Sequence, residues 1–221
     1  VRSLMGLVLL LYCIRKVRFK NLFDTPSIKQ LLKIGSPIGI AMLLEFLGFN
    51  IITIMVGRES GLLAATHNII VTITSSAYMV PLSISSAIAI KVGFFNGARI
   101  LSEIKRYSVA GTHISVAFMG FCAMLLSFWP EQIFDIFTKN PQMVKIGVPI
   151  LHIASLYLMY DGFRVCLSGI LKGLKMTKTA SVAVISGYWL FGLPFGFVLA
   201  YHYHMSLMGF WIGLAVSFLF M

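Results

Sequence analysis

Residues 34–56 read IGSPIGIAMLLEFLGFNIITIMV, an apolar run whose one charged residue, Glu45, lies near its middle. About 20 apolar residues are enough to cross the hydrocarbon core of a bilayer as an α-helix. Glu45 follows Pro37 by eight residues, which places it about 12 Å further along such a helix. The stretch therefore predicts a transmembrane helix with a carboxylate in the middle of its span.

The composition of the whole chain extends this prediction. Of the 221 residues, 58% are hydrophobic and 11% are charged, which is too apolar for a domain with a solvated surface. Only helices and closed barrels satisfy their backbone polar groups in hydrocarbon, and these apolar runs are too long for barrel strands. We predict an all-α integral membrane protein with seven apolar segments, the first and last incomplete, at residues 1–14, 34–56, 67–90, 108–129, 143–171, 180–201 and 206–221.

Most of the basic residues lie in the loops between these segments. The net charge is +11, but the Lys and Arg residues form short clusters and no continuous face, which argues against a nucleic-acid partner. The positive-inside rule places the basic loops in the cytoplasm, so that residues 34–56 run outward and residues 143–171 run inward. The basic loops are the first, third and fifth, with Arg15, Lys16, Arg18, Lys20, Lys29 and Lys33, then Lys91, Arg99, Lys105 and Arg106, then Lys172, Lys175 and Lys178.

The segment TPSIKQLLK at residues 25–33 precedes the first complete span. Pro26 and Ser27 stand where a helix would begin, and the apolar side chains that follow share one face. The pattern predicts a short amphipathic helix in the membrane interface, without further function of its own.

Two acidic residues, Glu45 and Asp161, lie inside predicted membrane segments. A carboxylate at that depth costs about 2.5–3.5 kcal/mol on insertion scales, so it should face the protein interior or an aqueous cavity, as an ion-coupled carrier requires. Tyr157 precedes Asp161 by four residues and shares its helix face, so that both could supply oxygens to one cation or relay one proton. The structural alternatives are a hydrogen bond from Glu45 to a neighbouring helix, and an ion pair of Asp161 with Arg164. A tight pair would keep Asp161 ionised and make it a poor proton carrier.

Aromatic residues in the same segments have two interpretations. Tyr78, Phe46 and Phe49 could offer ring faces to a lipophilic cation, although packing is the commoner role of an aromatic residue in a membrane helix. Three others lie near helix ends and are predicted to anchor the chain at the membrane interface: Trp129, Tyr201 and Trp211. The five histidines lack HExxH spacing, which argues against a zinc site.

An ordered string of motifs closely resembles the C-terminal lobe of the multidrug and toxic compound extrusion (MATE) transporters. The resemblance covers about residues 20 to 215 and is more specific than any single motif. The matching residues are Gly35-Ser-Pro-Ile-Gly39, Glu45, Met55-Val-Gly57, Leu63-Ala-Ala65, Met79-Val-Pro-Leu82, Ala87, Val92-Gly93, Gly97-Ala-Arg99, Tyr157, Asp161, Ser168-Gly169 and Leu171-Lys-Gly173.

The resemblance implies half of a twelve-helix transporter built from two six-helix lobes. Residues 1–33 would be the end of helix six and a cytoplasmic interfacial linker, and residues 34–221 a lobe of helices seven to twelve with the last one truncated. Na⁺-coupled members of the family hold their ion with a helix-seven glutamate, matched by Glu45, a helix-ten aspartate, matched by Asp161, and a tyrosine, for which Tyr157 and Tyr78 are candidates. Arg164 departs from the family pattern, where a neutral polar residue is expected.

The expected function is therefore a secondary antiporter that exports drugs or metabolites, often lipophilic cations, in exchange for Na⁺ or H⁺. It would act in the inner (plasma) membrane as a multi-pass protein, without a cofactor or enzymatic activity. Its partners would be the lipid bilayer, a small-molecule substrate and an N-terminal lobe of the same protein. Na⁺ would be its only metal, at Glu45 and Asp161, and Phe46, Phe49 and Arg164 are the candidates for contacting substrate.

Two other functions remain open at this point. A lipid-linked saccharide flippase of the same fold would need several basic residues in its cavity, and Arg164 is the clear candidate. An intramembrane aspartyl protease is a remote alternative, because Tyr160-Asp161 resembles half of that family's signature while the required Gly-x-Gly-Asp partner is absent from the sequence.

Overall fold

A computed structural model of the protein describes residues 6–8, 12 and 25–217, and all the regular structure in these ranges is helical. The all-α prediction is therefore confirmed. From residue 25 onward the described helices are α1 (Thr25–Glu59), α2 (Gly61–Gly97), α3 (Leu101–Phe128), α4 (Pro130–Phe137), α5 (Pro141–Gly173), α6 (Thr177–His202) and α7 (Ser206–Ser217).

Five of the described helices are long and apolar enough to cross a membrane: α1 over Ile28–Glu59, and α2, α3, α5 and α6 over their full lengths. Five predicted segments fall on these helices, and each helix is longer than its apolar run. The predicted segment at 206–221 falls on α7 as far as Ser217. Most of the segment at 1–14, and residues 218–221, lie outside the described residues.

Two details of the prediction are wrong. Residues 25–33 do not form a separate interfacial helix, because α1 continues from Thr25 to Glu59 with Pro37 inside it. Prolines are tolerated within membrane helices, where neighbouring groups satisfy the freed carbonyl. The short helix α4 was also missed, although Pro130 at its first position and Glu131 in its first turn are ordinary helix-start residues.

By its packing the chain divides into residues 1–36 and residues 37–221, and the contacts described from here on lie within the second unit. In that unit α5 packs against α2 and α3 through glycines. A Cβ added to Gly169 would lie 2.5 Å from the Ser85 carbonyl oxygen on α2, and one added to Gly162 would lie 2.7 Å from Met119 Cγ on α3. Small residues allow membrane helices to approach this closely. Ser85 Oγ also donates to the Val165 carbonyl at 2.7 Å. The glycine contacts and this hydrogen bond together hold one face of α5 against α2 and α3.

Helices α6 and α7 meet through two facing GxxxG pairs. Gly192 and Gly196 of α6 oppose Gly209 and Gly213 of α7, and a Cβ on Gly213 would lie 2.5 Å from the Gly196 Cα. Helix α6 is π-helical over Gly187–Gly192 and again near its end. Such wider turns shift the direction of the side chains that follow them.

Helix α7 is largely buried, and the predicted role of Trp211 as an interface anchor is wrong. Trp211 is fully buried, and its indole Nε1 donates to His67 Nδ1 on α2 at 3.3 Å. Its ring also meets the Tyr157 ring edge-on, with the centroids 6.0 Å apart. The polar atom of Trp211 thus has its partner inside the protein, which makes the residue part of the core.

Candidate functional site: a charged cavity between four helices

A cavity of about 530 Å³ lies between α1, α2, α5 and α6. Much of its wall is apolar, as in most sites for small organic molecules. Among the described residues, the charged side chains that line it come from α1 and α5, and the amides come from α1 and α2. The charged residues and amides that line it are Glu45, Asn50, Asn68, Asp161, Arg164 and Lys172.

Arg164 lies at the centre of the charged residues and contacts both carboxylates. Its Nε and Nη2 donate to Asp161 Oδ1 at 2.8 and 2.7 Å, and Nη2 also donates to Glu45 Oε1 at 3.2 Å. The first contact lies within α5, and the second joins α5 to α1. The sequence suggested the Asp161–Arg164 pair as an alternative to an ion site, and the structure contains that pair.

The two carboxylates differ in their surroundings. The side chain of Asp161 is 2% exposed and that of Arg164 is 11% exposed, whereas that of Glu45 is 23% exposed. Asp161 receives two short bonds from the guanidinium and Glu45 receives one longer bond. Asp161 is therefore the enclosed partner of Arg164, and Glu45 is the partner that the cavity reaches.

The predicted tyrosines also lie at this cavity. Tyr157 is buried and lines it from α5, and its hydroxyl lies 3.2 Å from the hydroxyl of Tyr188. Tyr78 lines it from α2, where its hydroxyl faces Arg164. The structure thus places all four predicted coupling residues, Glu45, Tyr78, Tyr157 and Asp161, in the lining of one cavity.

The two predicted phenylalanines line the same cavity from α1 but differ in packing. Phe46 is 75% exposed. Phe49 is half-buried, and its ring centroid lies 6.2 Å from that of Tyr188. Phe46 is therefore available to a molecule in the cavity, whereas Phe49 already packs against the protein.

Sequence reasoning missed Tyr188, which the first π-helical turn of α6 places opposite Tyr157. It follows Tyr157 by 31 residues, and no helical spacing relates residues on different helices. Sequence reasoning also missed Lys172, which lines the cavity at the end of α5. Its place in a basic loop suggested only a topological role, although its position eleven residues after Asp161 puts it on nearly the same helix face as that carboxylate.

The fit of a sodium ion to this cluster can be judged from the oxygen atoms present. Hard cations take oxygen ligands, and one oxygen of each carboxylate, Glu45 Oε1 and Asp161 Oδ1, already accepts a hydrogen bond from Arg164 Nη2. A guanidinium keeps its charge in proteins, so a second cation at this position would face its repulsion. The side chains in this arrangement do not fit Na⁺ between the two carboxylates.

Comparison with known proteins agrees with the fold and the motifs. The family model described as MatE matches residues 37–198. The chain belongs to the MatE family. Its curated relatives include the "Probable multidrug resistance protein NorM" of Bacillus anthracis, 33% identical over 91% of this chain and 45% of that protein. The protein of the same name from Bacillus subtilis is 31% identical over 87% of this chain and 42% of that protein.

Solved structures share the fold at lower identity. The crystal structure of the eukaryotic MATE transporter AtDTX14 has a TM-score of 0.81 at 21% identity and covers 87% of this chain and 44% of that one. A point mutant of the Vibrio cholerae MATE transporter VcmN has a TM-score of 0.82 at 17% identity and covers 91% and 45%. This chain thus spans about half the length of the MatE proteins that it matches.

Family membership and the five long apolar helices make this chain an integral, multi-pass membrane protein. The family is one of transporters and not of enzymes. The alternative of an intramembrane aspartyl protease is therefore wrong. The Tyr160-Asp161 dipeptide that suggested it belongs to a helix in which Asp161 is paired with Arg164.

Proposed function

We propose that this chain is the C-terminal lobe of a secondary antiporter that exports small organic compounds across the inner (plasma) membrane, driven by a gradient of Na⁺ or H⁺. The observation that carries the proposal is the cavity between α1, α2, α5 and α6, with two membrane-embedded carboxylates in its wall. Acidic residues inside membrane segments are costly, and they mark ion and proton pathways. The similarity to proteins named as multidrug resistance proteins supports a drug-like substrate.

The proposed mechanism is a linkage between the charged cluster and the cavity. Glu45 and Arg164 belong to both, so a change of charge at Glu45 alters the hydrogen bond between α1 and α5 and the wall that a substrate meets. By reciprocal linkage, an ion that weakens substrate binding is itself bound less well when substrate is present. The lobe would work with an N-terminal lobe of the same protein, since transporters alternate access by moving one repeat against the other.

Transport by the full-length protein in membrane vesicles tests this proposal. A fluorescent lipophilic cation serves as the substrate, and Na⁺ and pH gradients are imposed separately. We expect efflux to follow one gradient, and Glu45→Gln to abolish the coupling. Asp161→Asn should impair coupling as well, because Arg164 then loses its main partner. Glu59→Gln is the matched control, since Glu59 lies at the far end of the same helix and accepts a hydrogen bond from Ser206 outside the cavity. Gradient-driven efflux that is unchanged in both cavity variants would refute the assignment.

A lipid-linked saccharide flippase is the second candidate, and one observation favours it. The cavity contains two basic residues, Arg164 and Lys172, where the sequence alone indicated only the first. Lys172 makes no ion pair with any residue that the structure describes. Translocation of a fluorescent polyprenyl-pyrophosphate saccharide in proteoliposomes, abolished by Lys172→Gln and with no efflux of lipophilic cations, would favour the flippase over the antiporter.

A further inference from the structure

Arg164 is a permanent positive charge fixed between the two membrane-embedded carboxylates. It lies 2.7 Å from Asp161 and 3.2 Å from Glu45, and its side chain is nearly enclosed. A guanidinium does not lose its proton in proteins. The cluster therefore already contains one cation, and with both carboxylates ionised it has a single negative charge left to neutralise.

A sodium ion and a proton would neutralise that charge in different ways. Sodium needs several oxygen ligands, and to bind the two carboxylate oxygens that share Arg164 Nη2, Glu45 Oε1 and Asp161 Oδ1, it would have to displace the guanidinium. Arg164 would then remain charged in the same enclosed space, at a separation where Coulomb repulsion is strong. A proton needs one carboxylate oxygen and no displacement. The arrangement of the side chains therefore discriminates between the two ions.

The geometry also discriminates between the two carboxylates. Asp161 is the more enclosed and shares two hydrogen bonds with Arg164, while Glu45 shares one longer bond and lines the cavity. Protonating Asp161 would break up the stronger contact of a buried ion pair, which is strongly unfavourable. Protonating Glu45 weakens only the longer contact and leaves Asp161–Arg164 intact.

We propose that the exchangeable ion of this cluster is a proton carried by Glu45, and that Arg164 stays bound to Asp161 as a resident cation that excludes Na⁺. The proton forms an O–H bond on the Glu45 carboxylate, and the charge that holds Arg164 to α1 is lost. The hydrogen bond between α1 and α5 is thereby weakened, while the contact within α5 remains. This inference rests on the proposed function and specifies its coupling ion and the residue that carries it.

The groups that face Glu45 come from three other helices. Helix α5 contributes Arg164, Asp161 and Tyr157, with Lys172 further along its length. Helix α2 contributes Tyr78 and α6 contributes Tyr188, both of them phenols. Among these described neighbours Asp161 is the only other carboxylate, and it is the one already paired. The competing site for the proton is therefore Asp161, and the experiment has to separate these two residues.

Infrared difference spectroscopy of the purified full-length protein in lipid nanodiscs separates them, because a protonated carboxylic acid has a C=O stretching band that a carboxylate lacks. On acidification we expect one such band from a membrane-embedded acid. It should be lost in Glu45→Gln and remain in both Asp161→Asn and the control Glu59→Gln. A band that persists in Glu45→Gln and is lost in Asp161→Asn would overturn the proposal, as would spectra of the wild type and Glu45→Gln that are identical.

Sodium binding and transport distinguish failure of this inference from failure of the proposed function. Calorimetric titration of the same protein with NaCl should give no saturable heat beyond that of a KCl titration, and a pH gradient but not a Na⁺ gradient should drive efflux. Saturable Na⁺ binding that is lost in Glu45→Gln and Asp161→Asn would overturn the proton assignment and leave an ion-coupled antiporter standing. Efflux that responds to neither gradient would overturn the antiporter itself, and this inference with it.

Discussion

The two faces of α5 are joined to their neighbours in opposite ways. On the packed face, Gly162 and Gly169 bring the backbones of α3 and α2 so close that an added methyl group has no room. On the cavity face, Arg164 pairs with Asp161 of the same helix, and one 3.2 Å hydrogen bond from Arg164 to Glu45 joins α5 to α1. The contacts of the packed face therefore depend on the close fit of small residues, and the contacts of the cavity face depend on ion pairing.

This difference indicates where the lobe can change. Closely packed helices are not continuously deformable, so α2, α3 and α5 should behave as one rigid group. The contact of α5 with α1 at the cluster contains ionisable groups, and its strength changes when one of them gains or loses a charge. We therefore expect ion binding to act on α1 relative to that group and not within it.

The largest expected effect comes from removing the guanidinium. Arg164→Gln leaves Asp161, which is 2% exposed, as an unpaired buried carboxylate, and breaking such a pair costs about 3–5 kcal/mol. The double variant Asp161→Asn with Arg164→Gln should recover much of this loss, because the most enclosed charge of the cluster, the Asp161 carboxylate, is then removed together with its partner. Reversible unfolding in detergent would measure both. If Arg164→Gln is as stable as the wild type, the Asp161–Arg164 pair does not stabilise the cavity face.

A smaller effect is expected from filling the packed face. Gly169→Ala places a methyl group against the Ser85 carbonyl, and overpacking of this kind costs about 1–3 kcal/mol. The matched control is Gly120→Ala on α3, where nothing lies within 4 Å of the added Cβ, so that stability should stay the same or rise slightly with the better helix propensity. Equal melting temperatures for the two variants would contradict the close approach of α5 to α2.

The membrane spans could be predicted from the sequence because bilayer thickness sets the length of an apolar run. The run at 34–56 predicted a helix across the membrane, and α1 contains it. The π-helical turn at Gly187–Gly192 could not be predicted in this way, because it changes the hydrogen bonding of a helix without interrupting its apolar sequence. The predicted boundary between an interfacial helix at 25–33 and the span at 34–56 was wrong, because one helix continues from Thr25 to Glu59.

The candidate site was predictable in part. Glu45 and Asp161 stand out because a charge inside an apolar segment is costly, and the contact of Asp161 with Arg164 follows from their spacing on one helix. The contact of Arg164 with Glu45 joins residues that are 119 positions apart, and no local pattern encodes it. That contact joins Glu45 to the Asp161–Arg164 pair, so that both carboxylates share one guanidinium.

A modest effect is expected from the hydrogen bond on the packed face. Ser85→Ala removes the donor to the Val165 carbonyl, which lies 2.7 Å from Ser85 Oγ. Hydrogen bonds between membrane helices contribute about 0.6 kcal/mol on average and up to about 1.7 kcal/mol, so the loss should be below that of Gly169→Ala. Ser83→Ala on the same helix is the control, because Ser83 Oγ donates to the carbonyl of Met79 within α2. A loss with Ser85→Ala that exceeds the loss with Gly169→Ala would mean that hydrogen bonding, and not shape, dominates this face.

The smallest effect on stability is expected on the cavity face, at Phe46. Its side chain is 75% exposed although it lines the cavity, so Phe46→Ala should change the free energy of unfolding by no more than about 0.5 kcal/mol. The same substitution removes an aromatic surface that a lipophilic cation would contact, and it should raise the substrate concentration needed for half-maximal efflux by the full-length protein. Ile136→Ala on α4 is the control, because Ile136 is similarly exposed at 79% but lies outside the cavity. If both variants keep normal stability and shift efflux equally, Phe46 has no special contact with substrate, and other residues that line the cavity would have to account for binding.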